Sequence, residues 1–489
     1  MQLGLDKHYG PFIDNRFATG SGERFDARDP ATGELLATLT ECGAAEVDAA
    51  VAAARAAQPG WAATPIEERS RLLWTLADRL AGDMTRRAHI DAHDIGRRLG
   101  ETTYDQIIAV GHYRYFAAAI MTHEGFGRAI PNGHFIAKRE PLGVCAQVVP
   151  WNVPTIMAAA KIAPAVAAGN TVVLKPDEHA SLSTMELCKL IAEIFPPGVI
   201  NVIPGRGAVT GQALIHHKGV AKISFTGSTE VGRLMAAAGA EALLPVTLEL
   251  GGKSANIVFP DVTDFDAIAD NVAFAAMYCN GQSCLAGTRL FVHEDVYRPL
   301  MDALCSRLAR AVVAAPFDEK ATLSCLVSEK QGRRVLDYID VGRKEGARLL
   351  TGGSRRQIAG CEAGYFIEPT VFEARNDMRI CREEIFGPVL SVIRWSDYEV
   401  MLAQANDSTY GLAAGLYTRD ISRALDTADR LQAGSVWVNQ YFNLMNGTPF
   451  GGYKQSGLGR EFCHETLNYY TQLKSITLAK SVPSPFYVR

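Results

Sequence analysis

Three side chains in this 489-residue sequence combine a residue type with a setting that could do chemistry. Cys284 stands in Asn280-Gly281-Gln282-Ser283-Cys284-Leu285-Ala286-Gly287, Glu249 in Leu248-Glu249-Leu250-Gly251-Gly252, and Asn152 in Pro150-Trp151-Asn152-Val153-Pro154. A thiol among small residues is either a buried packing group or a nucleophile whose thiolate attacks carbon. A carboxylate between two leucines at a strand end is costly unless it is paired or held protonated, and general bases are placed that way. An amide between Trp151 and Val153 either donates to a developing oxyanion or caps a helix starting near Pro154. Cys279, with no sign of a special turn beside it, reads as packing.

A fourth pattern concerns phosphate. The glycine fingerprint GxGxxG is absent, but Phe225-Thr226-Gly227-Ser228-Thr229-Glu230-Val231-Gly232 turns a strand into a helix through small residues. Free N–H groups and the helix dipole at such a corner can hold an anion, and the same corner can equally be a plain turn capped by Ser228 or Thr229. No metal site is expected. The ten cysteines contain no CxxC pair, and His89 and His93 in HIDAH lack the glutamate that a zinc-protease motif places beside its first histidine. Those two histidines are expected at the surface, and His216-His217 at a helix end.

The elements that must position these groups follow from periodicity. From Gly143 onward, apolar strand-like runs alternate with helical ones: GVCAQVVP, MAAAKIAPAVAAG, TVVLKP, STMELCKLIAEIF, VINVIPG. Parallel strands covered on both faces read as continuous apolar runs, so this order predicts a doubly wound α/β sheet. AKISFTGS and PVTLELGG extend it. SANIVFP, TRLFVHE, ARLLTGG, PVLSVIRW, LAAGLYT and SVWVN build a second lobe, the two meeting near Gly251 and placing Cys284 at the seam. Before them come short strands and turns up to residue 30, helices over 44–58, 65–80 and 103–119, and a glycine-broken excursion after His123.

Composition narrows the function classes. With 48% apolar and 21% charged residues the chain is of globular type, and 49 basic against 53 acidic residues give no electrostatic case for nucleic acid. The uncharged run Pro141–Ala160 carries three prolines and Asn152, which argues against a membrane span. The start lacks a basic segment followed by an apolar one, so a cytoplasmic location is expected.

In order and spacing, PWNVP, NTVVLKPDE, FTGSTEVG, LELGGKS, GQSCLAGTR, EEIFGPV and PFGGYKQSGLGRE resemble the aldehyde dehydrogenase superfamily, from about Asp29 to Thr477. The resemblance implies NAD(P)-dependent oxidation of an aldehyde to a carboxylic acid. It makes Cys284 the nucleophile, Glu249 the base and Asn152 the oxyanion donor. For the cofactor it assigns Lys175 and Glu178 to the adenosine ribose, Gly207 to the adenine side and Ser228, with Gly227 and Gly232, to the pyrophosphate. Glu384 and Phe386 go to the nicotinamide ribose, with Val149, Pro150, Trp151 and Leu250 lining the channel. Glu178 repels a 2′-phosphate, so NAD is expected over NADP. Lys161 matches a position near the catalytic centre, and a solvated or salt-bridged lysine is the alternative; Asn439 and the glycines of the last motif are expected to shape the floor.

The resemblance also implies a division: 1–122 and 142–250 as a Rossmann-like coenzyme domain, 251–468 as a catalytic domain, and 123–141 with 469–489 as a β oligomerisation element making a homodimer or homotetramer. Ser324-Cys325 and Ala315 depart from the family pattern in a loop remote from the nucleophile. Small residues at Val153, Ala158 and Ala160, with Met157, Tyr278, Ser283, Leu285, Phe442, Leu444 and Met445, predict a roomy apolar tunnel for an aromatic, terpenoid or medium-chain aldehyde. A CoA-acylating dehydrogenase and a non-catalytic binding protein are the alternatives on the same fold, and Glu249 favours hydrolysis.

Overall fold

The computed structural model describes residues 3–482; the ends of two expected segments, 1–2 and 483–489, lie outside them. Two parallel sheets form the body. The first runs in the order Gly457–Leu458, Val246–Glu249, Lys222–Thr226, Val144–Val148, Thr171–Lys175, Ile200–Val202, Phe12–Ile13, Arg16–Phe17. Its five central strands are parallel, in register Lys222↔Cys145 and Val144↔Thr171, and the edge pairs are antiparallel. Numbered along the chain, those five lie in the order 5-4-1-2-3, so the winding reverses between Val144–Val148 and Lys222–Thr226. Open α/β sheets bind ligands beyond the carboxyl ends of the strands at such a reversal.

The second sheet has the order Arg348–Thr351, Thr370–Glu373, Val389–Trp395, Arg289–His293, Ala255–Val258, Ala413–Tyr417, Ser435–Val438. Only its first pair is antiparallel. Val144–Val148, Thr171–Lys175 and Ala255–Val258 are buried at every position, which is why they read as largely apolar runs, with Gln147, Thr171, Lys175 and Asn256 the buried polar exceptions. Two lobes of doubly wound α/β type are therefore present. One stretch crosses between them: Gly457–Leu458, inside the expected 251–468 domain, adds an edge strand to the first sheet against Leu248 and Glu249.

Helices Ala44–Ala63, Ile66–Gly82, Met84–Ile95 and Leu99–Ala119 precede the first parallel strand. The first continues through Pro59, past the expected end at 58, because its last turn is anchored by buried Trp61, whose indole donates to the Val166 carbonyl (3.1 Å). The excursion after His123 is a hairpin, Phe126–Ile130 with Gly133–Pro141, and strand Thr471–Ala479 joins it in register from Thr471↔Pro141 to Ala479↔Gly133. Eight of the nine residues of Thr471–Ala479 are exposed, and its outer edge is unpaired among the described residues. Among the described residues no helix is long and apolar enough to cross a membrane.

Candidate active site at the seam of the lobes

The strand ends at the reversal carry the expected cofactor residues. Val144–Val148 runs into Val149, Pro150 and Trp151, and the Val149 N–H donates to the Lys175 carbonyl (3.2 Å) at the end of the neighbouring strand. The Lys175 ammonium, 2% exposed, reaches the Glu178 carboxylate at 3.1 Å, while Glu178 stays open to the crevice. Ser228 caps helix Thr229–Ala242, its hydroxyl accepting from the Val231 N–H (3.3 Å). Gly232 lets that helix approach, since a Cβ there would lie 2.4 Å from the Leu250 side chain; a Cβ at Gly227 would strike the Phe225 ring. A side chain at Gly207 would meet nothing, so the backbone there faces open space.

Glu384 and Phe386 approach from the second lobe. The Gly252 N–H donates to the Glu384 carboxylate (3.1 Å), and a Cβ on Gly251 would overlap that carboxylate at 2.4 Å. Burial first of all raises the Glu384 carboxyl to about 7, against the Gly252 hydrogen bond and the Lys253 charge. Phe386, at φ 62, sets its ring edge-on to Trp151 with centroids 5.3 Å apart.

Cys284 sits where the lobes meet, partly open, with its backbone carbonyl so close to Gly252 that a Cβ there would be 2.3 Å away. Burial pushes its thiol up to about 12, reinforced by the negative charges of Glu384 and Glu249. The thiol is therefore kept protonated and needs a proton acceptor before it can attack. The turn leading to it is unusual: Cys279, Asn280 and Gly281 all have positive φ (57, 57 and 71). The expectation of no special turn at Cys279 is thereby corrected, although that cysteine is buried as expected. Side-chain bonds hold the turn where L-residues are unfavourable: Asn280 donates to the Cys325 carbonyl (2.8 Å) and accepts from the Ser324 N–H (2.7 Å), and Gln282 accepts from the Val327 N–H (3.1 Å).

Asn152 lies beside this turn. Its amide donates to the Gln282 carbonyl at 2.9 Å, and helix Pro154–Ala167 has Val153, with no side-chain bond, at its N-cap; the capping alternative for Asn152 is set aside. Glu249 closes the third side. It is 2% exposed, and its Oε2 is buried with no hydrogen-bond partner. Burial, followed by the negative charge of Glu461, drives its carboxyl far above the usual carboxylate range, while Lys161 and Arg460 pull the other way. Lys161, fully buried, forms an ion pair with Glu461, so it is salt-bridged rather than solvated, and its charge acts on Glu249.

The expected tunnel residues gather only in part. Met157, Ala160 and Leu285 belong to the first lobe's buried core, with Val153, Cys284, Phe442 and Leu444 packed half-buried at its rim. Tyr278 joins through rings: Phe274, Tyr278 and Phe442 stand 5.3–5.5 Å apart, and Tyr441 is 5.1 Å from Phe442. Ser283, half-buried, adjoins the thiol in the chain. Ala158 does not face this cluster; it lines a small void with Leu80, Tyr113 and Leu187 on the opposite side of its helix. Met445 is 62% exposed.

His93 is half-buried and paired with Asp29 (2.7 Å), because the N-terminal turn folds back over its helix, and so it is not a plain surface residue. Asn439 is structural, bonding twice to the Thr418 backbone. Among the described residues no three His, Cys, Asp or Glu side chains are grouped to hold a metal. Sequence reasoning missed Gln282 and Gly252, and it passed over Glu461, whose motif was read for its glycines alone. It also missed Arg97 and Asp105, buried beneath Asn152.

Comparison with known proteins agrees with this geometry. A sequence model described as "Aldehyde dehydrogenase family" matches residues 17–476. DhaS of Bacillus subtilis (strain 168), provisionally named an aldehyde dehydrogenase, is 44% identical over 472 residues, 95% of this chain and 94% of that protein. The NAD+ complex of an aldehyde dehydrogenase from Bacillus cereus superposes with a TM-score of 0.95 at 39% identity, covering 98% of each chain. AldA of P. syringae, an indole-3-acetaldehyde dehydrogenase solved as a cysteine-to-alanine mutant with NAD+ and IAA, superposes with a TM-score of 0.95 at 36% identity, covering 98% of this chain and 97% of that one.

Proposed function

The chain belongs to the aldehyde dehydrogenase family, and from that premise we propose that it oxidises a bulky apolar aldehyde to the carboxylic acid, with NAD+, through a covalent intermediate on Cys284. The observation that carries the assignment is the buried carboxyl of Glu249, its Oε2 without a hydrogen-bond partner, near enough to Cys284 for its charge to act on a thiol that cannot ionise unaided. A scaffold has no use for such a group, whereas a base needs its raised proton affinity.

The crevice fits the cofactor. Gly207 leaves room, Ser228 stands at the start of a helix whose first N–H groups can hold a phosphate, the Gly227 N–H beside it donating to the Glu249 carbonyl (3.0 Å), and Lys175 and Glu178 can bond ribose hydroxyls. Glu384 and Phe386 would hold the nicotinamide end, with Val149, Pro150, Trp151 and Leu250 lining the path. Bound NAD+ supplies the hydride acceptor. Glu178 in the crevice favours NAD over NADP.

Glu249 takes the thiol proton, and the Cys284 sulfur bonds the aldehyde carbon to give a thiohemiacetal oxyanion. Asn152 releases Gln282 or uses its second N–H to donate to that oxyanion, together with the Cys284 N–H. Loss of hydride from carbon converts the oxyanion to a thioester. Glu249 passes the thiol proton to bulk water, then removes a proton from the water that attacks the thioester; collapse expels the thiolate, which takes that proton back as the acid leaves. Water rather than a second thiol is the acceptor because a base is already in place.

The ring cluster of Phe274, Tyr278, Tyr441 and Phe442 supports an aromatic or long apolar substrate, as does the indole substrate named for the P. syringae protein. Val153, Met157, Ala160, Ser283, Leu285 and Leu444 complete the tunnel. The first lobe serves the coenzyme and the second catalysis, while the unpaired edge of Thr471–Ala479 joins a second copy. NADH formation at 340 nm, with aromatic, aliphatic and acidic aldehydes, tests the assignment. Turnover should be greatest with aromatic or medium-chain aldehydes and absent in Cys284→Ala; greatest turnover with an acidic semialdehyde would refute the pocket, and an active Cys284→Ala would refute the nucleophile.

A further inference from the structure

Beneath the oxyanion donor lies a guanidinium that the mechanism above does not use. Arg97 is fully buried, at the C-terminal side of helix Met84–Ile95. Its Nη1 donates to the backbone carbonyl of Asn152 (3.2 Å) and to the Asp105 carboxylate; its Nε donates to Glu101 (3.3 Å). The same guanidinium lies 5.4 Å from the centre of the Tyr278 ring, and the Tyr278 hydroxyl donates to the other Asp105 oxygen (3.2 Å). Arg97 and Asp105 thus grip two segments that are remote in sequence. One is the loop carrying Asn152; the other is Tyr278, which ends helix Phe265–Met277 just before the left-handed turn that delivers Cys284. Asn152 completes the circuit by donating to Gln282 in that turn.

We propose that Arg97, braced by Asp105, is a positioning residue that sets the spacing between the oxyanion donor Asn152 and the nucleophile turn. This rests on the role given to Asn152 above. A guanidinium can bond Asn152 and Asp105 through Nη1 and Glu101 through Nε while lying over the Tyr278 ring; a lysine ammonium, a single nitrogen, cannot hold all of them. Misplacing a reacting group by about 1 Å costs on the order of 100-fold in rate.

The test is a double-mutant cycle on the full chain. Arg97→Lys should lower kcat about 10–100-fold and leave the Kd for NAD+, measured by calorimetry, within about twofold. Added to Asn152→Ala, it should lower kcat by less than about threefold more, because the group it positions is gone. The charge-neutral pair Arg97→Gln with Asp105→Asn avoids stranding a buried carboxylate and should show the same non-additivity. Equal losses from Arg97→Lys with and without Asn152 would overturn the positioning role alone, as would wild-type kcat in both Arg97 variants. Full activity in Asn152→Ala would overturn the oxyanion assignment and this inference with it.

Discussion

Glu186 and Glu249 are the same residue at the same 2% exposure in the first lobe, yet they are opposite devices. Glu186, in helix Leu182–Ile194, receives bonds from the Tyr9 hydroxyl, the Arg86 guanidinium and the Lys189 ammonium (2.6 Å). Burial works against its charge, but Lys189, Tyr9 and Arg86 outweigh it and hold its carboxyl below the usual range. Glu249 has the burial without those partners, and Glu461 nearby adds a like charge. Pairing turns a buried carboxylate into a clamp for the N-terminal arm; withholding the partners turns it into a base. Arg97 with Asp105 lies between the two: the carboxylate is paired, yet burial outweighs the Arg97 charge and raises the Asp105 carboxyl to about 6.

The largest effect should come from Glu249→Gln, which keeps the shape and removes the base. Its kcat should fall about 10²–10⁴-fold. The variant should also be more stable above the ordinary carboxylate range. The folded pKa of Glu249 lies above the unfolded one, so stability falls as pH rises from the unfolded pKa through the folded one, and glutamine abolishes that fall. A melting temperature about 1–3 °C higher at pH 8, and unchanged at pH 4, is expected by scanning calorimetry.

Glu186→Ala should do the reverse. It leaves Arg86 with Asp83 and Lys189 with Asp6 but takes the buried Tyr9 hydroxyl's partner and opens a cavity, and should cost about 1–3 kcal/mol of stability in urea unfolding, with kcat per folded molecule unchanged. The sign of its pH dependence is opposite too: the clamp is complete above the unfolded carboxylate pKa and is lost as pH falls through the lowered folded value. Smaller again is Glu178→Ser, which removes the charge that disfavours a 2′-phosphate; the ratio of kcat/KM for NAD over NADP should drop about tenfold. At the bottom of the scale, Arg375→Ala breaks an exposed pair with Asp377 (3.2 Å) and should move stability by less than about 0.5 kcal/mol.

How much of this could be read from the sequence depends on the range of the interaction. The central strands were legible because burial on both faces leaves an apolar run, and the Phe225–Gly232 corner because strand, small residues and helix follow one another directly. Gly457–Leu458 was not, since a two-residue edge strand has no pattern of its own and exists only because Val246–Glu249 offers it an edge. Thr370–Glu373 was overlooked for its brevity. Cys284, Glu249 and Asn152 were visible as residues in unusual settings. The pairs that tune and place them were not: Arg97 meets Asn152 across 55 positions and Lys161 meets Glu461 across 300, and no local pattern records such a meeting. The left-handed run at Cys279–Gly281 was hidden because only Gly281 signals it, while Asn280 is held by the remote Ser324-Cys325 backbone.

The central claim is that Cys284 carries the acyl group and Glu249 releases it. Intact-protein mass spectrometry of Glu249→Gln, quenched in acid seconds after mixing with NAD+ and an aromatic aldehyde, addresses both halves at once. The account predicts an added mass equal to the acyl group on a share of chains that grows with the delay before quenching, since attack is slowed without the thiol's proton acceptor but release is slowed as well, mapped to Cys284 and missing from Glu249→Gln with Cys284→Ala. An unmodified Glu249→Gln chain that still forms NADH at the wild-type rate would contradict it.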